Sequence, residues 1–125
     1  MATAPTTTFA DTQTITLGGQ SVELIYLGSG HSDNLLAMKF PGEQALFIVD
    51  IVSAHRLPYQ TMGAGRDNLG GILGQISKAE SITGYNKLIT AHGAPYIFIA
   101  KPTMIGQVRG YIEALRDEVQ AAKCR

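Results

Sequence analysis

Apolar and polar positions alternate over residues 13–17 and again over 21–27, on either side of Leu17-Gly18-Gly19-Gln20. A period of two marks half-buried strands. A Gly-Gly pair between them marks a hairpin, because both central residues of the favoured turn take positive φ. In the second run Val22, Leu24 and Tyr26 share one face, and Glu23, Ile25 and Leu27 share the other. A third strand is expected over 35–40, closed by Pro41-Gly42-Glu43, where proline pre-sets the turn. The run Ala45-Leu46-Phe47-Ile48-Val49 then continues into Asp50-Ile51-Val52. Apolar residues on both faces are the pattern of a strand inside a sheet covered on both sides.

Residues 53–66 read as loop, with His55, Pro58 and Met62-Gly63-Ala64-Gly65. Leu69, Ile72, Leu73 and Ile76 recur at helical spacing, and Asp67 or Asn68 stands where a cap belongs. Gly70, Gly71 and Gly74 each weaken that helix by about 1 kcal/mol. They either permit close packing on the sheet or are merely a loss of propensity. Gly84-Tyr85-Asn86 reads as a turn and 87–90 as a short strand. Pro102 suits the first turn of a terminal helix. Met104, Val108, Tyr111, Ile112, Leu115 and Val119 draw its apolar stripe, with Arg109, Glu113, Arg116 and Asp117 opposite, in water. The elements are a meander of four strands, a helix, a further strand and a helix. This is an α/β or α+β chain with helices covering a sheet.

Composition narrows the function. A chain of 125 residues is one domain, set here at 13–125 after a flexible segment over 1–12. Ten basic and ten acidic residues balance, which argues against a nucleic-acid partner. A 45% hydrophobic and 16% charged composition is apolar for so small a chain and hints at a subunit interface, or simply at a poorly charged domain. Cys124 is the only cysteine, so no internal disulfide forms. No run approaches the roughly 18 apolar residues that span a bilayer, so no membrane partner is expected. Met1 to Thr8 has no basic cluster and no apolar core, which reads as no signal peptide and favours a cytoplasmic location.

Three histidines, His31, His55 and His92, all fall in loops just past expected strands. Gly30 precedes the first and Gly93 follows the last, so the backbone can turn sharply and aim an imidazole with little obstruction. Asp50 is the only charge within Leu46–Val52 and needs a donor, a cation or a metal. Two histidines and a carboxylate make a three-ligand set with a fourth position open for water. Zinc, iron or manganese all accept it. A loop histidine is, however, more often hydrogen-bonded or solvated than ligating, and a strand-end carboxylate often caps a turn. A metal-free chain is therefore the alternative.

The loop Gly30-His31-Ser32-Asp33, the strand pair ending in Asp50, and Ala91-His92-Gly93 near the last helix resemble the metallo-β-lactamase superfamily over residues 13–122. The resemblance implies that His31 binds one metal, that His92 binds the other, and that Asp50 bridges them. It places Asp33 no nearer than behind the ligands, and His55 near the substrate mouth. The superfamily's His-x-His-x-Asp-His run has no match, and no histidine precedes His31. The chain thus resembles the second half of an αββα sandwich: one mainly antiparallel or mixed sheet, two covering helices and part of a metal site. The other sheet face would be apolar, which implies a homodimer through that face, the alternatives being a separate chain supplying the first half or a piece of a longer product. The functions implied are a metal-dependent hydrolase or a remnant of one, one piece of a longer or two-chain hydrolase, or a non-catalytic assembly module on the same scaffold.

Overall fold

The computed structural model describes residues 3–59, 62, 68–93 and 98–124. Its elements are β1 (Thr12–Leu17), β2 (Gln20–Tyr26), β3 (Leu36–Phe40), β4 (Ala45–Ile48), α1 (Leu69–Glu80), β5 (Lys87–Thr90), β6 (Ile99–Ala100) and α2 (Met104–Lys123). The strands form one six-stranded sheet in chain order. Neighbours pair antiparallel except β4 and β5, which run parallel because α1 carries the chain back across the sheet. The mixed sheet with two helices is the α/β architecture expected. Among the described residues no helix is long and apolar enough to cross a membrane.

The first hairpin turns at Gly18 and Gly19, with φ of 59° and 79°, the double positive φ that the glycine pair supplies. Two expectations need correction. The strand expected to reach Val52 stops at Ile48, since Asp50 turns the chain with φ 68°. Ile51 and Val52 are 1% exposed as loop anchors, so their apolar character reflects burial and not a strand. The two-residue strand β6 had no counterpart in the pattern, being too short to show a period.

Register sorts the side chains into two faces. Glu23, Lys39, Leu46, Leu88 and Ala100 form one row across the sheet, and Ile25 and Ala37 lie beside it. This is the helix side. Leu46, Ile48, Leu88 and Ala37 are fully buried there with Ile72, Ile76 and Ala79 of α1 and Ile105 and Ile112 of α2. The opposite face carries Leu24, Met38, Phe47 and Ile89 in one row, and none of them joins that core. So β4 is apolar on both faces, and the described helices cover only one.

On α2 the expected stripe is half right. Ile112 is buried and Met104 and Val108 pack on the core, but Tyr111, Leu115 and Val119 are exposed, and Ile105 takes the innermost place. Arg109 is not simply solvated. It donates to Glu80 of α1 at 2.7 Å and to Glu113 at 3.1 Å. That bond and the guanidinium charge hold the Glu80 carboxyl below its ordinary range.

Candidate functional site

Strands β2, β4 and β5 run in one direction, because β3 is antiparallel to both β2 and β4 while β5 is parallel to β4. Their C-terminal ends therefore share one edge of the sheet, where a rigid scaffold can aim loop side chains at a common point. His31 follows β2, Asp50 follows β4 and His92 follows β5.

The His31 loop is held from below by α1. Gln75 is 1% exposed, a polar residue on an otherwise apolar helix face. Its Oε1 accepts the His31 backbone N–H at 2.9 Å, and its amide nitrogen donates to the carbonyls of Gly28 at 2.6 Å and Ser32 at 3.2 Å. Loop and helix touch backbone to backbone. A Cβ on Gly71 would stand 2.5 Å from the Ser29 carbonyl oxygen and 2.7 Å from the Gly30 Cα. The glycines of α1 thus serve close packing at Gly71, on the loop and not on the sheet, whereas Gly74 meets nothing within 4 Å. Asn68 precedes α1 as expected, but its side chain makes no capping bond. Asp67 lies outside the described residues.

Asp50 sits at the centre of a three-residue turn, with the Ile51 N–H donating to the Val49 carbonyl at 2.7 Å. A positive φ inside such a turn is a strained arrangement for a residue with a side chain. The loop beyond is pinned by Thr90, buried in β5, whose Oγ1 accepts from the Ala54 N–H at 2.9 Å.

The three side chains meet around the carboxylate. His92 Nε2 is 2.8 Å from Asp50 Oδ1, and His31 Nε2 is 3.5 Å from Asp50 Oδ2. On the other side of the His31 ring, Nδ1 lies 2.8 Å from the Tyr59 hydroxyl, the two rings meeting edge-on at 5.8 Å. This fixes the imidazole and turns Nε2 toward Asp50. Together with Ser53 and Arg56 these residues line a cavity of about 650 Å³. His55, with φ 51°, lines an adjoining depression beside Met104, Gln107 and Tyr111 of α2, which shares Ser53, Arg56, Leu57 and Pro58 with that cavity. Asp33 accepts a hydrogen bond from the Ser29 hydroxyl and faces a third groove, with Phe9, Tyr26 and Leu36.

No protein-family model matches the sequence, and no curated protein does. Solved structures do match. A metallo-β-lactamase from Pontibacter korlensis superposes with a TM-score of 0.71 at 20% identity, over 89% of this chain and 50% of that one. This chain carries part of the metallo-β-lactamase fold. An archaeal superfamily protein from Sulfolobus tokodaii matches with a TM-score of 0.62 at 18% identity, over 80% of this chain and 36% of that one. A metallo-β-lactamase family protein from Thermus thermophilus gives 0.59 at 16%, over 90% and 35%. The chain thus spans half or less of the length of each of these proteins.

The metallo-β-lactamase fold implies a metal, and the donor set answers by type but not by number. Imidazole and carboxylate suit zinc, iron or manganese. At bond lengths of about 2.0–2.2 Å, two ligands of one tetrahedral ion stand roughly 3.3–3.6 Å apart, the spacing of His31 and Asp50. His92 and Asp50, at 2.8 Å, are in direct hydrogen-bond contact. Each carboxylate oxygen faces a different histidine. Among the described residues no group of three or more His, Cys, Asp and Glu side chains is placed to hold a metal ion.

Sequence reasoning missed Gln75, Tyr59 and Thr90. A polar residue on the buried stripe of α1 was the signal for Gln75, and a threonine at an inward strand position was the signal for Thr90. Tyr59 stands in a loop with no pattern to mark it.

Proposed function

We propose that the chain is a metallo-β-lactamase-like half-domain carrying an incomplete share of a metal-dependent hydrolase site. The observation that carries this reading is the meeting of His31 and His92 on the two oxygens of Asp50, from three strand ends, in one cavity. His31 and His92 would each give Nε2 to a metal, and Asp50 would lie between. When bound, the metal polarises a carbonyl or phosphoryl oxygen and lowers the pKa of its water to about 7. The chain's own residues orient that centre. Tyr59 fixes the His31 ring, Gln75 fixes its backbone, and Thr90 holds the Asp50 loop. Completing the coordination would take donors from beyond the described residues.

A second reading, a non-catalytic assembly module, is favoured by the 2.8 Å His92–Asp50 contact, which satisfies both groups without a metal. Elemental analysis of the untreated protein, followed by zinc titration, separates the two. The hydrolase reading expects zinc uptake that weakens at least about tenfold in the Asp50→Ala or His31→Ala variant. A protein that takes up no zinc and cleaves no ester, thioester, lactam or phosphodiester refutes it and leaves the assembly module. Co-purification with a chain bearing the His-x-His-x-Asp-His run would identify the source of the missing donors.

A further inference from the structure

The loop over residues 53–58 stands between two hollows. On one side is the cavity of His31, Asp50 and His92, and on the other is the depression of about 290 Å³ beside α2. Arg56, Leu57 and Pro58 line both, so the hollows adjoin across that loop. The depression belongs to the helix side of the sheet. Met104 and Val108 of its α2 wall pack on the helical core, and Ala54 of the loop is buried in that core. It does not lie on the face that the helices leave bare.

The loop is fixed in place. Ala54 is fully buried and gives its N–H to Thr90. The next residue, His55, has a positive φ, a strained conformation that persists only where the surroundings impose it. Beyond this turn Arg56, Leu57 and Pro58 form the shared wall. The depression is bounded mainly by the apolar side chains of Leu57, Pro58, Met104 and Val108 and by the ring of Tyr111. Leu57 is 67% and Tyr111 44% exposed, so apolar surface stands open there. Arg56 is exposed as well, and among the described residues it makes no hydrogen bond or ion pair. Its guanidinium is available to an oxygen acceptor at the junction of the two hollows.

An apolar hollow with a few polar groups at its mouth selects a ligand that is apolar along its length and polar at one end. A sugar or a charged group would leave polar atoms unpaired against Leu57, Met104 and Val108. The volume holds at most roughly nine groups of the size of a water, about 30 Å³ each. Because the hollow is open, a chain of about six to eight carbons fills it.

We propose that the depression beside α2 is the subsite for an aliphatic acyl chain of about six to eight carbons, whose carbonyl end lies beside Arg56 on the side of Asp50. The proposal rests on the hydrolase reading for what becomes of that carbonyl, and not for the binding of the chain.

The test is titration of the purified, zinc-free protein with butanoate, hexanoate and octanoate, followed by methyl NMR. Each added methylene is expected to tighten binding by about two- to fourfold, the upper figure being that of full burial. The shifts are expected at the methyl groups of Leu57, Met104 and Val108. Arg56→Gln is expected to weaken all three acids by about two- to fivefold and to leave the dependence on chain length unchanged. Gln107→Trp, an exposed helical position on the rim, fills the hollow. It is expected to weaken octanoate at least about tenfold and butanoate less than about twofold. Affinity that does not depend on chain length overturns the proposal, as do shifts that fall on Leu24, Met38 and Ile89 of the bare sheet face. The titration of the unaltered protein decides this even where a variant does not fold. Zinc uptake decides the hydrolase reading separately. Chain-length dependence without zinc uptake keeps the subsite and removes the hydrolase, and zinc uptake without that dependence does the reverse.

Discussion

Gln75 is the side chain through which α1 hydrogen-bonds the loop that presents His31. Replacing it with leucine keeps the volume and removes all three hydrogen bonds. The His31 N–H and the Gly28 and Ser32 carbonyls then lose their partners. A buried polar group left unpaired costs about 1–3 kcal/mol. The loop is only partly buried, so water recovers some of this and the low end applies. The expected loss is about 3 kcal/mol, a large share of the 5–15 kcal/mol that holds a domain together. Glutamate at the same position separates the bonds from the packing. It still accepts from His31, but when ionised it sets a charged oxygen against two carbonyls. The folded state then favours the protonated acid, raising its pKa above the unfolded value of about 4.3. Stability of Gln75→Glu relative to wild type is therefore greatest below about pH 4.3 and falls as pH rises toward the raised folded value. Urea denaturation of both variants at pH 4 and pH 7, with hydrogen exchange at the His31 amide, reads each effect. The reasoning fails if Gln75→Leu unfolds within about 0.5 kcal/mol of wild type, or if the glutamate variant shows no pH dependence of its own.

Three further outcomes follow from the same contacts. Gly71→Ala is expected to lower the melting temperature in spite of a helix-propensity gain of about 1 kcal/mol, because its Cβ would meet backbone atoms at 2.5 and 2.7 Å, whereas Gly74→Ala, with nothing within 4 Å, is expected to raise it. Arg109→Gln removes the hydrogen bond and the charge that depress the Glu80 pKa. The wild type gains from that pair above the unfolded glutamate value of about 4.3 and loses it as pH falls through the depressed one, so the two stability curves should differ at neutral pH and converge in acid. Asp50→Gly is expected to abolish zinc uptake while changing thermal stability little, since relief of the positive φ offsets the lost His92 contact.

Periodicity made the hairpin, the sheet and the two helices legible, because each buries one face of a regular element. It misread Ile51 and Val52, since a short apolar run looks alike in a strand and in a buried loop. It also overdrew α2, where Leu115 and Val119 keep the spacing of a core stripe but extend beyond the core. Within the site, the glycine-flanked His31 and His92 and the lone charge of Asp50 stood out against apolar surroundings. What brings them together did not, because Gln75 and Tyr59 act across 44 and 28 positions of sequence, a relation that no local pattern encodes.

The backbone at Asp50 has an evolutionary consequence. A three-residue turn with positive φ is the place where glycine fits best and where most other residues are under strain. Glycine, which a single base change can reach from aspartate, is the replacement that would relieve that strain. On the proposed metal reading, an aspartate there keeps its chemistry at the expense of backbone comfort, and a lineage released from that chemistry would shed it early.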